Sequence, residues 1–222
     1  MNAVRALLWR EIRGELHGRE IVPMVAVFGL LVLVVMSFTF EPSSEEAKLL
    51  APGVLWVALT FSGILGVSRS ASRDEENGAL DGLLASPVDR GTLFIGKLLA
   101  NLIFMLLADA VLIPAFLVLY DMATFEQLAG ILPVVVLGTI GFVTIGTIFA
   151  AVAVNTRMRE LLLPVVLIPV AIPLILASVE ATGIILRDEG SRYLWSWLRI
   201  LIVADFIFLV LSYLLFEYVL ED

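Results

Sequence analysis

"RGTLFIGKLLANLIFMLLADAVLIPAFLVLY", residues 90–120, supports two readings with opposite consequences. Gly91, four further residues, then Gly96 and Lys97 reproduce the spacing of a phosphate-binding P-loop up to its last position. That loop needs Ser or Thr after the lysine, because the hydroxyl holds the magnesium that bridges the nucleotide phosphates. Here the position is Leu98. A P-loop also joins a buried strand to a helix inside a soluble α/β domain. This stretch instead leads straight into an apolar run from Leu93 to Tyr120. A run of that length crosses the hydrocarbon core of a bilayer as a helix, which takes about 20 residues. The stretch therefore predicts a membrane span and no nucleotide site.

The rest of the chain agrees. With 60% hydrophobic and 16% charged residues and a mean hydropathy of +1.03, it is an integral membrane protein. Its 222 residues leave no room for a separate soluble domain beside the apolar runs. No cysteine is present, which excludes disulfides and thiolate metal sites. The net charge of −8 is better read loop by loop than as a whole, and no nucleic-acid partner is expected.

Six runs have the length and composition of transmembrane helices: Ile21 to Phe40, Leu49 to Val67, Leu93 to Tyr120, Leu128 to Val154, Leu161 to Val179 and Leu198 to Phe216. Four of them contain no Asp, Glu, Lys or Arg. The first is too long for a signal-peptide core and is read as a retained span. The expected fold is all-α: one transmembrane domain over 1–222, with an interfacial helix over 1–20 and a cytoplasmic segment over 69–92. Placing both termini in the cytoplasm puts ten Lys and Arg residues inside and four outside, in keeping with the positive-inside rule. The arginines of the last outer loop, Arg187, Arg192 and Arg199, run against it.

Residues 1–20 place Val4, Leu8, Ile12 and Leu16, with Leu7, on one helical face and four arginines around the others. This predicts an amphipathic helix on the inner membrane surface, bracing the first span and meeting anionic lipid. A charged leader that only sets topology is the alternative. In "SRSASRDEENGALDGLLASPVDRGTLFIGK", Ser72 with Glu75 forms a capping box. Asp74, Glu75 and Glu76 crowd the first turn and Pro87 marks the stop. Leu80, Leu83 and Leu84 share a face of this short helix. They fold back onto the spans or dock into a groove on another protein.

A resemblance decides between these. The Ala51, Pro52, Gly53 and Trp56 pattern, then "GALDGLLASPV", then Gly96 and Lys97, resemble the cytochrome c maturation protein B (heme exporter protein B) family, the membrane subunit of an ABC export system. The "LPVVLIPVAIPLILAS" run is similar too. One departure is Asp81, where the family pattern would have Glu. The resemblance implies that Arg73, Asp74, Glu75, Glu76, Leu80, Asp81, Leu83, Leu84 and Pro87 form a coupling helix for a separate ATPase of the cytochrome c maturation protein A type. It further implies membrane partners of the C and D types, a periplasmic heme chaperone and location in the bacterial inner membrane; the subunit is expected to work as two copies, a homodimer, or in a larger complex. ATP and Mg would be bound by the partner ATPase. Heme would be cargo, with no cofactor held by this chain. An export permease for lipid, drug or polysaccharide remains the alternative within the superfamily.

Inside the spans, Asp109 and Asp205 are costly charges, with Thr144, Thr147 and the Asp205 carboxyl as candidate partners of Asp109. They serve as polar clasps between helices or as proton sites of a secondary transporter. Pro164, Pro169 and Pro173 are candidate hinges, or simply prolines tolerated in a membrane helix. Gly130, Gly138, Gly141 and Gly146 allow close packing within the chain or between copies. Tyr193, Trp195 and Trp197 read as an interface belt or a receiving surface for a partner or a porphyrin. The single histidine, His17, lies in the leader, so paired heme ligands are not apparent on the outer side. The spans hold no Ser/His, paired-carboxylate or metal-spaced cluster that would suggest a hydrolase.

Overall fold

The computed structural model describes residues 2–39, 45–76, 89–121, 125–154, 159–188 and 190–219, and among them every regular element is an α-helix. The helices are α1 (Asn2–Gly18), α2 (Ile21–Ser37), α3 (Glu45–Glu76), α4 (Arg90–Leu119), α5 (Phe125–Val154), α6 (Arg159–Leu186) and α7 (Ser191–Val219). Five of them, α3 to α7, are each long and apolar enough to cross a membrane. The sixth, α2, has 17 residues and therefore reaches about 25 Å, the short end of a crossing. It qualifies together with α1, from which it is bent by 65°. The bend sits at Arg19, whose φ of 51° is a left-handed value.

Three boundaries lie well outside the sequence expectation. The second span was expected to stop at Val67, but α3 continues unbroken to Glu76. Ser72 and Glu75 thus lie inside a helix, and the capping box read there is not a helix start. Polar Arg69, Ser70, Arg73 and Asp74 carry the helix beyond the apolar run because each finds a partner on a neighbouring helix. The fifth span was expected to stop at Val179, but α6 runs to Leu186, through all of Pro164, Pro169 and Pro173. Correspondingly, Tyr193, Trp195 and Trp197 belong to the opening turns of α7 rather than to a loop.

The false P-loop is helical throughout. Asp89 caps α4 by accepting the Thr92 N–H at 3.2 Å, so Gly91 to Leu98 form its first turns. No loop remains there whose amides could turn toward phosphate.

Helix α5 is the centre of the bundle, packing on α3, α4, α6 and α7, while α2 packs on α3 and α4. The glycines of α5 are spent on these contacts within the chain. Gly138 lies under the Trp56 indole and Gly141 under the Asp205 carboxylate and Leu174, with no room for a Cβ at either position. The most deeply buried large side chains, among them Phe94, Phe104, Phe116 and Tyr120, come largely from α4. By contrast, α7 exposes Ile202, Val203, Phe206, Ile207 and Leu214, an apolar outer face suited to lipid.

Helix α1 is amphipathic, as expected, but its apolar face meets protein. It packs on α4, with Leu7, Leu8 and Ile12 against the core, so that α4, more than the first span, is what it braces. Gly96 makes the approach close, since a Cβ there would lie 3.0 Å from that of Leu7. Leu16, assigned to the same face, is 63% exposed, and Trp9 on the opposite side is 61% exposed.

Candidate functional site at the charged end of the bundle

The end of the bundle that carries α1 gathers most of the charge. Two glutamates of α1, Glu11 and Glu15, sit one helical turn apart on the face that docks, and both are buried. Arg73, near the end of α3, reaches them with both arms of its guanidinium. Nη2 donates to Glu11 Oε2 at 2.9 Å and Nη1 to Glu15 Oε2 at 3.1 Å. The same guanidinium lies 5.9 Å from the centre of the Phe104 ring on α4, within cation–π range. Arginine suits the position because its planar fork can satisfy two carboxylates at once.

Glu15 does a second job. Its other oxygen, Oε1, accepts the backbone N–H of Ile21 at 2.8 Å and of Val22 at 3.0 Å. A helix start leaves its first amides without intrahelical partners, and the residue at the cap of α2, Glu20, makes no side-chain cap bond. Glu15 supplies the cap from across the bend. Glu20 instead accepts from Arg69 of α3, at 2.6 Å from Nη2, and Arg69 Nη1 also donates to Glu76 at 2.9 Å.

Lys97 completes the cluster. Its ammonium turns inward, paired with Asp74 and 3.7 Å from Glu11 Oε2. Arg10 also pairs with Glu11. Burial by itself would raise the Glu11 pKa, but Lys97, Arg10 and Arg73 outweigh it and hold the carboxyl below its ordinary range. Beside these charges lies a cavity of about 70 Å³ with Leu7, Val67, Leu93 and Phe216 among its apolar walls and Asn101 and Thr147 also lining it.

Deeper in the bundle, three polar clasps join the helices. Ser70 donates to Asn101 Oδ1 at 2.7 Å, and Asn101 Nδ2 donates to Thr147 at 3.1 Å, linking α3, α4 and α5. Thr139 of α5 donates to Asp109 of α4 at 2.8 Å. Trp56 Nε1 of α3 donates to Thr182 of α6 at 3.0 Å.

Among the expected site residues, Arg73 and Asp74 point into this cluster, while Glu75 and Glu76 are exposed. Leu80, Asp81, Leu83, Leu84 and Pro87 lie outside the described residues. The partner of Asp109 is Thr139, not Thr144, Thr147 or Asp205. Thr144 bonds its own helix at Ile140 O, and Thr147 is held by Asn101. Asp205 is buried against Gly141, with neither carboxylate oxygen hydrogen-bonded among the described residues.

Sequence reasoning passed over Glu11, Glu15, Asn101 and Thr139. The signal for the glutamates was available: two acids at i and i+4 on the apolar side of α1 need buried cations, and Arg73 and Lys97 flank apolar runs. Among the described residues no group of three His, Cys, Asp or Glu could hold a metal ion.

Comparison with known proteins places this arrangement. A family model described as CcmB protein matches residues 2–220. The chain is 28% identical to a protein named heme exporter protein B from Rhodobacter capsulatus, over 80% of this chain and 81% of that one. It is 30% identical to the protein of the same name from Bradyrhizobium diazoefficiens, over 86% of each chain. The corresponding protein of Pseudomonas aeruginosa is 26% identical over 89% of this chain and 88% of its own. Together with five long apolar helices and a bent α1–α2 pair, a match running from the first turn of α1 to the end of α7 shows that this chain is a multi-pass membrane protein belonging to the CcmB protein family.

Proposed function

We propose that the chain is the non-catalytic permease subunit of an ABC-type heme exporter that serves the assembly of c-type cytochromes in the bacterial inner membrane. The observation that carries this reading is the family match across residues 2–220, with relatives named heme exporter protein B. In this reading a separate ATPase of the cytochrome c maturation protein A type binds ATP and Mg. Subunits of the C and D types and a periplasmic heme chaperone complete the pathway, and the heme is cargo. Both termini face the cytoplasm, which puts the charged end of the bundle on the ATPase side.

The chain's own residues then have mechanical roles. The segment from Glu76 to Asp89, which includes Leu80, Leu83 and Leu84, receives the ATPase by helix-in-groove docking. The ion-paired end of α3 carries its displacement into α1, α2 and α4. Hydrogen-bonded clasps such as Trp56–Thr182 keep the spans from sliding independently as the movement reaches the far side.

Purification from a strain that also produces the ATPase tests the proposal. The ATPase is expected to co-purify in stoichiometric amount and to be lost when Leu80 and Leu84 are both changed to Asp. Normal retention by that double variant would sink the docking role. If transport followed a proton gradient, needed no ATP and vanished with Asp109→Asn, the chain would be a secondary transporter instead. Transport of a lipid, drug or polysaccharide in place of heme would retain the ABC architecture and change the cargo.

A further inference from the structure

Arg73 lies three residues before the end of α3 and so immediately precedes the segment assigned above to ATPase docking. If it were itself a docking contact it would have to face outward. It is instead 13% exposed, with both arms of its guanidinium committed to Glu11 and Glu15 of α1 and its face near Phe104 of α4. Glu15 in turn divides its two oxygens between Arg73 and the first amides of α2. One unbroken path of short polar contacts therefore runs from the end of α3, through Arg73 and Glu15, to the N-terminus of α2. A parallel path runs from Asp74 through Lys97 into α4.

These contacts are held in the buried join between α1 and the bundle, where a lost partner is costly and an alternative partner scarce. Moving the end of α3 by a few ångströms must either carry α1 and the start of α2 along or strip Glu15 from one of its two commitments. We infer that Arg73 is a positioning residue that locks the end of α3 to the α1–α2 elbow, so that displacement of the following segment is transmitted to α2 and not absorbed locally. The inference rests on the permease reading for its consequence but on the described geometry for its mechanism.

The test uses the full chain in lipid nanodiscs, alone and with the ATPase. In the complex, Arg73→Gln, Arg73→Lys and Glu15→Gln are expected to retain the ATPase and to hydrolyse ATP within about twofold of wild type, while heme delivered per ATP falls about tenfold. Lysine fails because it cannot fork between two carboxylates. The Glu15→Gln/Arg73→Gln double variant is expected to be no worse than Arg73→Gln alone, because the change at Arg73 already removes the link to Glu15. An unchanged ratio of heme delivered to ATP hydrolysed, additive losses, or loss of the ATPase on changing Arg73 would each overturn the inference.

In the chain alone, hydrogen exchange at Ile21 and Val22 reads the lock without any partner. Glu15→Ala, which removes the cap, and Arg73→Gln, which leaves it unanchored, are expected to speed it about tenfold. Unaltered exchange in Arg73→Gln would refute the lock even if the ATPase associates. Absence of the ATPase from the wild-type complex would refute the permease reading while this exchange measurement still decides the lock.

Discussion

The charged end of the bundle and its membrane-embedded middle solve the problem of buried charge in opposite ways. At the end that carries α1, Glu11, Glu15 and Asp74 meet Arg10, Arg73 and Lys97, so that each acid faces at least one cation within the chain. In the middle, Asp109 has one hydroxyl, that of Thr139, and Asp205 has tight packing against Gly141. Charge in the first region is compensated by opposite charge, and in the second by shape and a single hydrogen bond. The first arrangement ties helices together with directional contacts whose loss is expensive. The second leaves carboxylates whose surroundings hold the helices close without fixing them through ion pairs.

That contrast can be broken most severely at Arg73. Arg73→Ala leaves two buried glutamates without their shared cation and should destabilise the chain by about 3–5 kcal/mol, seen as a lower midpoint in thermal unfolding in detergent. A loss below about 1 kcal/mol would mean that Arg10 and Lys97 compensate on their own. In the middle, Gly138→Ala places a methyl group against the Trp56 indole and should cost about 1–3 kcal/mol by overpacking. The same assay, together with Trp56 fluorescence, checks it, and a neutral result would show that α5 can shift away from α3.

Thr139→Val removes the only hydrogen bond described for the Asp109 carboxylate and should cost about 1–2 kcal/mol. Asp109→Asn keeps an oxygen for Thr139 and should cost less than Thr139→Val, a ranking that the same unfolding assay tests. The smallest effect belongs to Arg69, which is partly exposed. Arg69→Ala should cost under about 1 kcal/mol and diminish further at high salt.

Acid offers a separate way to sharpen the comparison. The folded Glu11 carboxyl is held below the ordinary glutamate value of about 4.3, so the folded state binds fewer protons there than the unfolded state. Its contribution is therefore fully present above about pH 4.3 and lost as the pH falls through the lower folded value. Stability of the wild type should decline in that acidic window, and Glu11→Gln should flatten the decline. A wild-type profile that fell at neutral pH and was unaltered by Glu11→Gln would assign the acid sensitivity elsewhere.

The parts of the molecule legible in the sequence are those set by local composition. Apolar length placed the spans, and the spacing of Val4, Leu8, Ile12 and Leu16, with Leu7, among arginines pointed to α1 as an amphipathic helix, although Leu16 is exposed. The missing hydroxyl at Leu98 and the apolar run behind it disposed of the P-loop. Where the reading failed, hydropathy was no longer the deciding force. It ended α3 at Val67 because the polar residues begin there, although Arg73 and Asp74 continue the helix by pairing with residues distant in sequence. It offered Thr144 and Thr147 to Asp109 by estimated depth alone, whereas the rotation of α5 about its axis presents Thr139.

An all-helical membrane chain follows from the sequence by itself, since a continuous run of about 20 apolar residues in lipid satisfies its backbone groups within itself only as a helix. Only the tertiary structure decided which face of α1 meets protein, which two acids Arg73 grips and which hydroxyl Asp109 accepts from. Those choices depend on the rotation and approach of whole helices. Glycines at Gly96, Gly138 and Gly141 permit that approach, and partners separated by tens of residues, such as Glu15 and Arg73, fix it.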